Sequence, residues 1–368
     1  MGIELPPAGQ GWGIQADLAA INRRVIALAQ QQSFDIRASL LASGVEIFDG
    51  TGSFVTESKV RVEGSDACDL DADVVLVATG TTPRELPTAR PDGERILNWI
   101  QLYNLQELPE HLIVVGSGVT GAEFANAYDV LVFERRGMTI RSRSRAMSAE
   151  RRGDEVVVTL DDGDTIVGSH CLIAVGAIPN TSGIGLEEVS VELSGSGHIL
   201  VDKVSRTSNR SVYAAGDCTG VFALASVAAM QGRIAMWHHF GEAVTPLNLT
   251  EVSSNVFTAP EIATVGVTHA DVGGDVVADT LLLPLSTNAR AKMQGLRDGF
   301  VKLYSRPQTG IIIGGVVVAQ HASELIHAVS LAVNAQISVD VFATTFTVYP
   351  SLSGSLAEAA RQLHKRQA

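Results

Sequence analysis

Apolar positions in this chain follow two periods. Between residues 14 and 43, Leu18, Ile21, Val25 and Leu28 recur at helical spacing with few breakers, which predicts one or two helices ending near Gly44. Elsewhere apolar residues come in short runs bounded by glycine, proline or Asp-Gly, the pattern of strands. Residues 45–62 read as small strands broken at Asp49-Gly50 and Gly52. Residues 73–78 read as a buried strand that stops at Thr79-Gly80, and residues 112–115 as another. Residues 156–160 and 165–167 flank Asp162-Gly163 as a hairpin. Residues 171–175 form a further buried run ending at Gly176, and 224–236 an apolar, Ala-rich helix. Past residue 246 the pattern turns to strands at 261–267, 281–285, 300–303 and 311–318, closed by an amphipathic helix over about 355–365. That order predicts an α+β unit with an antiparallel sheet. Residues 1–13, rich in glycine and proline, read as irregular.

The run at 112–115 leads into Gly116-x-Gly118-x-x-Gly121 and then into an apolar segment that can start a helix, running to about Tyr128. A dinucleotide site needs this strand–turn–helix order. Gly116 permits the tight turn, Gly118 lets backbone approach a pyrophosphate, and Gly121 lets the helix pack close to its strand while its first N–H groups face the phosphates. An internal repeat also appears. Val75 to Pro83 and Cys171 to Pro179 are both apolar strands that close on a glycine, Gly80 or Gly176, with proline three residues later. The glycine triplet at 116 lies upstream of the second copy and none lies upstream of the first, so the first domain is expected to lack its N-terminal βαβ unit. At 213–217, Tyr-Ala-Ala-Gly-Asp reads as a strand end. Gly216 there admits a cofactor backbone, and Asp217 either accepts from polyol hydroxyls or caps the next helix.

Composition narrows the class. Hydrophobic residues make up 46% and charged residues 18%, so the chain is core-rich and long enough for two or three domains. A net charge of −13 disfavours general binding to nucleic acid or anionic membranes. No apolar run is long enough to cross a bilayer, and the first residues carry no signal-peptide pattern. Cys68, Cys171 and Cys218 have no redox or metal spacing, which suits a reducing cytoplasm. His238 and His239 read as surface or cap positions rather than metal ligands. Cys218 reads as a small buried residue, Arg290 and Lys292 as a solvated face, and His321 and His327 as part of a strand-to-helix segment in which His321 would face a cavity only by chance.

Taken together, ATG at 78–80, GSGVTGAE at 116–123, GAIPNT at 176–181, YAAGD at 213–217 and FTAPEIATVGVT at 257–268 resemble the flavoprotein disulfide reductases, the family of dihydrolipoamide dehydrogenase and glutathione reductase. The resemblance covers nearly the whole chain. It implies an α/β fold of two Rossmann-like dinucleotide-binding domains, the first incomplete, plus a C-terminal α+β dimerisation domain. The implied divisions are 1–85 with 179–245 for FAD, a shortened 86–178 for NAD(P), and 246–368 for the homodimer. By the same resemblance Thr79 and Gly80 line the FAD adenosine side, Gly216 and Asp217 its ribityl and phosphate region, and Leu224 and Ala225 the isoalloxazine. Gly116, Gly118, Gly121 and Glu123 form the NAD(P) turn, with Gly176 closing over it.

The departures from the family bear on activity. Its FAD glycine turn and redox-active C-x4-C are absent from the chain, so weak or absent flavin is expected. Its C-terminal His-Pro-x-x-x-Glu base motif reads Tyr349-Pro350-Ser351-Leu352-Ser353-Gly354. A tyrosine, with an ordinary pKa near ~10, is a poor base for a dithiol beside a histidine near ~6.5. Within the family YPSLSGS, NARAKM and LASVAAMQGRIAM resemble the dihydrolipoamide-dehydrogenase-like NAD(P)H:quinone reductases of actinobacteria. The implied activity is electron transfer from NAD(P)H through FAD to a quinone, with Tyr349 catalytic or packing at the interface. The alternatives are a dihydrolipoamide-type disulfide reductase and a non-catalytic dimerising scaffold. The second domain is short. Either residues 130–133 are its second strand, placing Glu134 on the ribose, or an internal segment is missing and 130–137 belong to a later helix. On the second reading Arg135 and Arg136 are not 2′-phosphate ligands.

Overall fold

The computed structural model describes residues 16–131, 138–274 and 276–367. Its elements in chain order begin with α1 (Leu18–Ala42), β1 (Gly50–Thr56), β2 (Lys59–Gly64), β3 (Cys68–Asp71), β4 (Val75–Val77), β5 (Thr81–Pro83), β6 (Ile96–Leu97), α2 (Trp99–Leu102), β7 (Leu112–Val115) and α3 (Val119–Leu131). They continue with β8 (Ala146–Arg152), β9 (Glu155–Leu160), β10 (Thr165–Gly168), β11 (His170–Ile173), β12 (Ala177–Pro179), β13 (Val212–Ala214) and α4 (Ala225–His239). The last are β14 (Ser253–Val256), β15 (Glu261–Gly266), β16 (Asp279–Pro284), α5 (Ala289–Met293), β17 (Phe300–Ser305), β18 (Ile312–Ala319), α6 (Ala322–Asn334), α7 (Val339–Thr344) and α8 (Gly354–Gln367). Contacts divide the described residues into two compact units, one within 16–52, 62–68, 81–131 and 138–178, the other within 53–61, 69–80, 179–274 and 276–367.

In the first unit β6, β11 and β7 form a parallel sheet in that order. Cys171 and Ile173 of β11 pack with Val156, Val158 and Leu160 of the antiparallel β10-β9-β8 sheet. Leu172 and Ala174 pack on the other side with Leu97, Leu102, Phe124 and Tyr128. A strand covered on both faces must be apolar at every position, which explains the unbroken Cys-Leu-Ile-Ala-Val run. The hairpin at Asp162-Gly163 forms, with Gly163 at φ +87°. α1 is one continuous helix, capped by the Asp17 carboxylate and ended by Ser43 with Gly44 at φ +80°.

In the second unit β4 and β13 pair in parallel. One side of the pair carries Val77, Val212 and Ala214 into a core with Leu186, Val189, Val191, Ile199 and Cys218. On the other side Leu76 approaches Gly232 of α4, and Tyr213 bonds His238. The C-terminal part is the antiparallel sheet β14-β15-β18-β17-β16, with α6 on β15 and β18 and α8 on β16 and β17.

Two readings need correction. Gly50 and Gly52 lie inside β1 rather than at breaks, because a Cβ at Gly50 would meet the Glu63 carbonyl across the strand pair at 2.6 Å. The helix after the glycine triplet runs through Leu131, three residues beyond Tyr128, so Val130 and Leu131 do not start a strand. The remainder of that question, with Glu134, Arg135 and Arg136, lies outside the described residues, as do residues 1–13. His321 is exposed and borders an open surface groove together with Arg290, Gln294, Glu324, Ser351 and Ser353.

Candidate functional site

The chemistry-bearing turns leave the C-terminal ends of two parallel strand pairs. In open α/β sheets ligands bind at that end. In the first unit Val115 of β7 lies opposite Ile173 of β11, and Ala174 N–H donates to the Val115 carbonyl at 2.8 Å. Gly116 therefore emerges beside Ala174, two residues before Gly176. Gly116 sits at φ +123°, and a Cβ there would run into the Ala174 carbonyl. A Cβ at Gly121 would run into the Gly116 carbonyl, so α3 can sit this close to its turn only with glycine at that position. At Gly118 a Cβ would meet nothing within 4 Å. Two glycines thus serve the packing of strand, turn and helix, and the third leaves open backbone. Glu123 is half-buried on α3, and burial followed by the charge of Glu123 raises the pKa of the nearby Tyr103 hydroxyl.

In the second unit Val77 of β4 lies opposite Ala214 of β13, and Ala215 N–H donates to the Val77 carbonyl at 2.9 Å. The same strand-end bond thus recurs in both pairs. Thr79-Gly80 and Gly216-Asp217 follow the carboxyl ends of these two paired strands. Gly80 has φ +66° with no atom within 4 Å of a Cβ position. Gly216 has φ +82° and ψ −160°, a conformation restricted to glycine. Asp217 opens a single 3-10 turn to Thr219, and Leu224 caps α4 without any side-chain hydrogen bond to its first N–H groups.

The two repeat copies also meet. β5, following Gly80, pairs with β12, following Gly176. Arg84 N–H donates to the Gly176 carbonyl at 2.9 Å and Asn180 N–H to the Gly80 carbonyl at 3.0 Å. In both cases the residue four past one copy's glycine donates to the glycine carbonyl of the other copy.

Tyr349 lies in the segment before α8, 85% exposed, with no hydrogen bond among the described residues. Asn288 caps α5 through two backbone N–H groups, and its amide donates to the Ser351 carbonyl at 3.0 Å and Ser355 Oγ at 2.8 Å, which ties the tyrosine's segment to the sheet domain. Sequence reasoning missed Asn288, although an asparagine before an Ala-Arg-Ala-Lys run has the form of a helix cap. His238 is not a free surface group, since its Nδ1 lies 2.8 Å from the Tyr213 hydroxyl. Burial pushes the Cys171 thiol up to about 12, and Cys218 is fully buried with Sγ on the Ala215 carbonyl. No group of metal-ligating side chains is present among the described residues, and no described helix is long and apolar enough to cross a membrane.

The family model for pyridine nucleotide-disulphide oxidoreductase matches residues 7–132 and 131–232, and the model for the dimerisation domain of the same family matches 252–360. An NAD(P)H dehydrogenase (quinone) of Mycobacterium tuberculosis is 50% identical over 94% of this chain and 78% of its own length. A dihydrolipoyl dehydrogenase of Geobacillus stearothermophilus is 30% identical over 94% of this chain and 80% of its own. The crystal structure of LpdA from Mycobacterium tuberculosis superposes with a TM-score of 0.91 at 49% identity, covering 95% of this chain and 84% of that one.

Proposed function

The chain belongs to the pyridine nucleotide-disulphide oxidoreductase family, and from that premise we propose that it is an FAD-dependent NAD(P)H dehydrogenase with a quinone as acceptor. The observation that carries this reading is the pair of strand-end glycine turns, in a chain half-identical to a quinone dehydrogenase. FAD, when bound, accepts hydride from the nicotinamide and passes electrons to the acceptor, so no protein thiol pair is required.

The residues fit such a group. Open space over Gly80 and the glycine-only conformation of Gly216 form a cradle that a side chain would fill. Thr79 and Gly80 would hold the adenosine side, Gly216 and Asp217 the ribityl–phosphate edge, and Leu224 and Ala225, at the uncapped amino end of α4, the isoalloxazine. Gly116, Gly118, Gly121 and Glu123 would hold the nicotinamide coenzyme, with Gly176 beside them. Domain roles follow: 1–85 with 179–245 for FAD, 86–178 for NAD(P) and 246–368 for a homodimer that brings Tyr349 to the partner's flavin. Three unpaired thiols fit a reducing cytoplasm. The alignment to the quinone dehydrogenase runs over 382 positions while covering 94% of the 368 residues here, and the two family-model segments meet at residues 131–132. Both support a shortened nicotinamide domain. Tyr349 and Gly354, standing where the family has a His–Glu base pair, weigh against disulfide reduction.

The test is a visible absorption spectrum of the purified chain with FAD, before and after NADH or NADPH. In excess FAD, a flavin band that bleaches with one coenzyme and recovers on adding a benzoquinone is the expected result, with most of the flavin lost on desalting because the chain carries no FAD glycine turn. A flavin band that, in excess FAD, bleaches with neither coenzyme would exclude the reading.

A further inference from the structure

Gln231 is 1% exposed, in the second turn of α4, within the run Ala-Ser-Val-Ala-Ala-Met-Gln-Gly. A buried amide is costly unless both of its ends are bonded. Here both are. Gln231 Oε1 accepts from Gly216 N–H at 2.9 Å, and Nε2 donates to Thr219 Oγ1 at 3.4 Å. Thr219 Oγ1 donates onward to the Gly216 carbonyl at 2.8 Å, which also receives Thr219 N–H at 2.9 Å. The ring closes: amide to hydroxyl, hydroxyl to carbonyl, and the N–H of the same glycine back to the amide.

The turn itself closes through Thr219 without Gln231, and α4 completes its helical bonds without it. What the glutamine adds is a tie between the two. One end of the tie is Gly216, in a conformation that only glycine tolerates. The other is the helix whose uncapped start is Leu224-Ala225. These are the two places assigned above to opposite ends of the flavin half of FAD. We propose that Gln231 is a positioning residue for the flavin, fixing the spacing between the Gly216-Asp217 turn and the amino end of α4. This rests on the flavin reading of the site. The side chain does not touch the cofactor. It acts through the backbone of Gly216 and the hydroxyl of Thr219.

The test compares the full chain with Gln231→Leu, which keeps the volume and removes both bonds, and Gln231→Glu. FAD affinity is measured by flavin fluorescence, and local opening by hydrogen exchange of the segment 213–224 without cofactor. For Gln231→Leu we expect FAD affinity to fall about tenfold and exchange to rise about tenfold at 214–220, with other segments unchanged. A buried glutamic acid has a raised pKa, and its protonated form offers one acceptor and one donor, as the amide does. Gln231→Glu should therefore bind FAD nearly as wild type near about pH 5.5 and lose affinity toward about pH 8, a profile that a packing role alone would not produce. Unchanged exchange in Gln231→Leu would overturn the tie. Wild-type affinity in Gln231→Leu, or a pH-independent loss in Gln231→Glu, would overturn the positioning role. Failure of the wild type to bind FAD would instead overturn the flavin assignment, whatever the exchange shows.

Discussion

The three glycines after β7 are read from their spacing as turn, open backbone and helix packing, and their surroundings in the fold differ in the same way. A Cβ at Gly121 would run into the Gly116 carbonyl, whereas one at Gly118 would meet open space, and Gly118 has no positive φ. Gly121→Ala should therefore destabilise the first unit by ~2–4 kcal/mol, through displacement of α3 from its strand. Gly118→Ala should leave the melting temperature within a few degrees and still weaken NADH binding about tenfold or more, because its methyl occupies the space a pyrophosphate would take. Thermal melts paired with NADH titrations separate the two, and equal stability losses in both variants would refute the division of roles. At the same scale the sequence hid Gln231. A single glutamine among alanines reads as a solvent-facing helix position, and only the approach of Gly216 from a distant strand makes it buried and doubly bonded.

At the scale of elements, legibility followed burial. β11 and β7 are sandwiched strands, and their continuous apolar runs were readable. β6, β8 and β14 were not predicted, because they are two-residue, edge-exposed or mixed in polarity. β6 depends on the loop before it, where the Asp92 carboxylate accepts from the N–H groups of Glu94, Arg95 and Ile96 at 2.8–2.9 Å. Burial pushes the pKa of Asp92 up, but those three donors and Arg151 outweigh it and hold the carboxyl below its ordinary value. The folded state thus favours the ionised form. Its stabilisation is present above the ordinary carboxylate pKa, near ~3.9, and is lost as pH falls through the lower folded value. Asp92→Asn should cost about 1 kcal/mol in urea unfolding at neutral pH, and the gap to wild type should close toward pH ~3. A gap that stays constant with pH would contradict the role given to the charge.

For the whole molecule, the matter to be tested is self-association. Phe346, Val348 and Tyr349 stand in the segment before α8 with exposures of 102, 78 and 85%, within the residues matched by the family's dimerisation domain. Exposed large apolar groups of this kind mark association surfaces. Sedimentation at micromolar concentration should give a dimer, and Phe346→Glu should shift it toward monomer by about tenfold or more in dissociation constant. A wild-type monomer would remove Tyr349 from any partner site and leave the acceptor reaction to the flavin residues of one chain.

The sequence alone determined which segments could be strands sandwiched between layers, where glycine was obligatory, and that one strand–glycine–proline pattern occurs twice. Those properties are local: they follow from side-chain period and from the φ angles a residue can adopt. Tertiary structure decided that the two copies pair with each other through Gly80 and Gly176, that His238 meets Tyr213, and that Gln231 and Asn288 hold a turn and a tail in place. Each of these joins residues remote in sequence, or groups on different elements. A hydrogen bond of that kind has no periodicity along the chain. Its partners become defined only when packing fixes the distance between them.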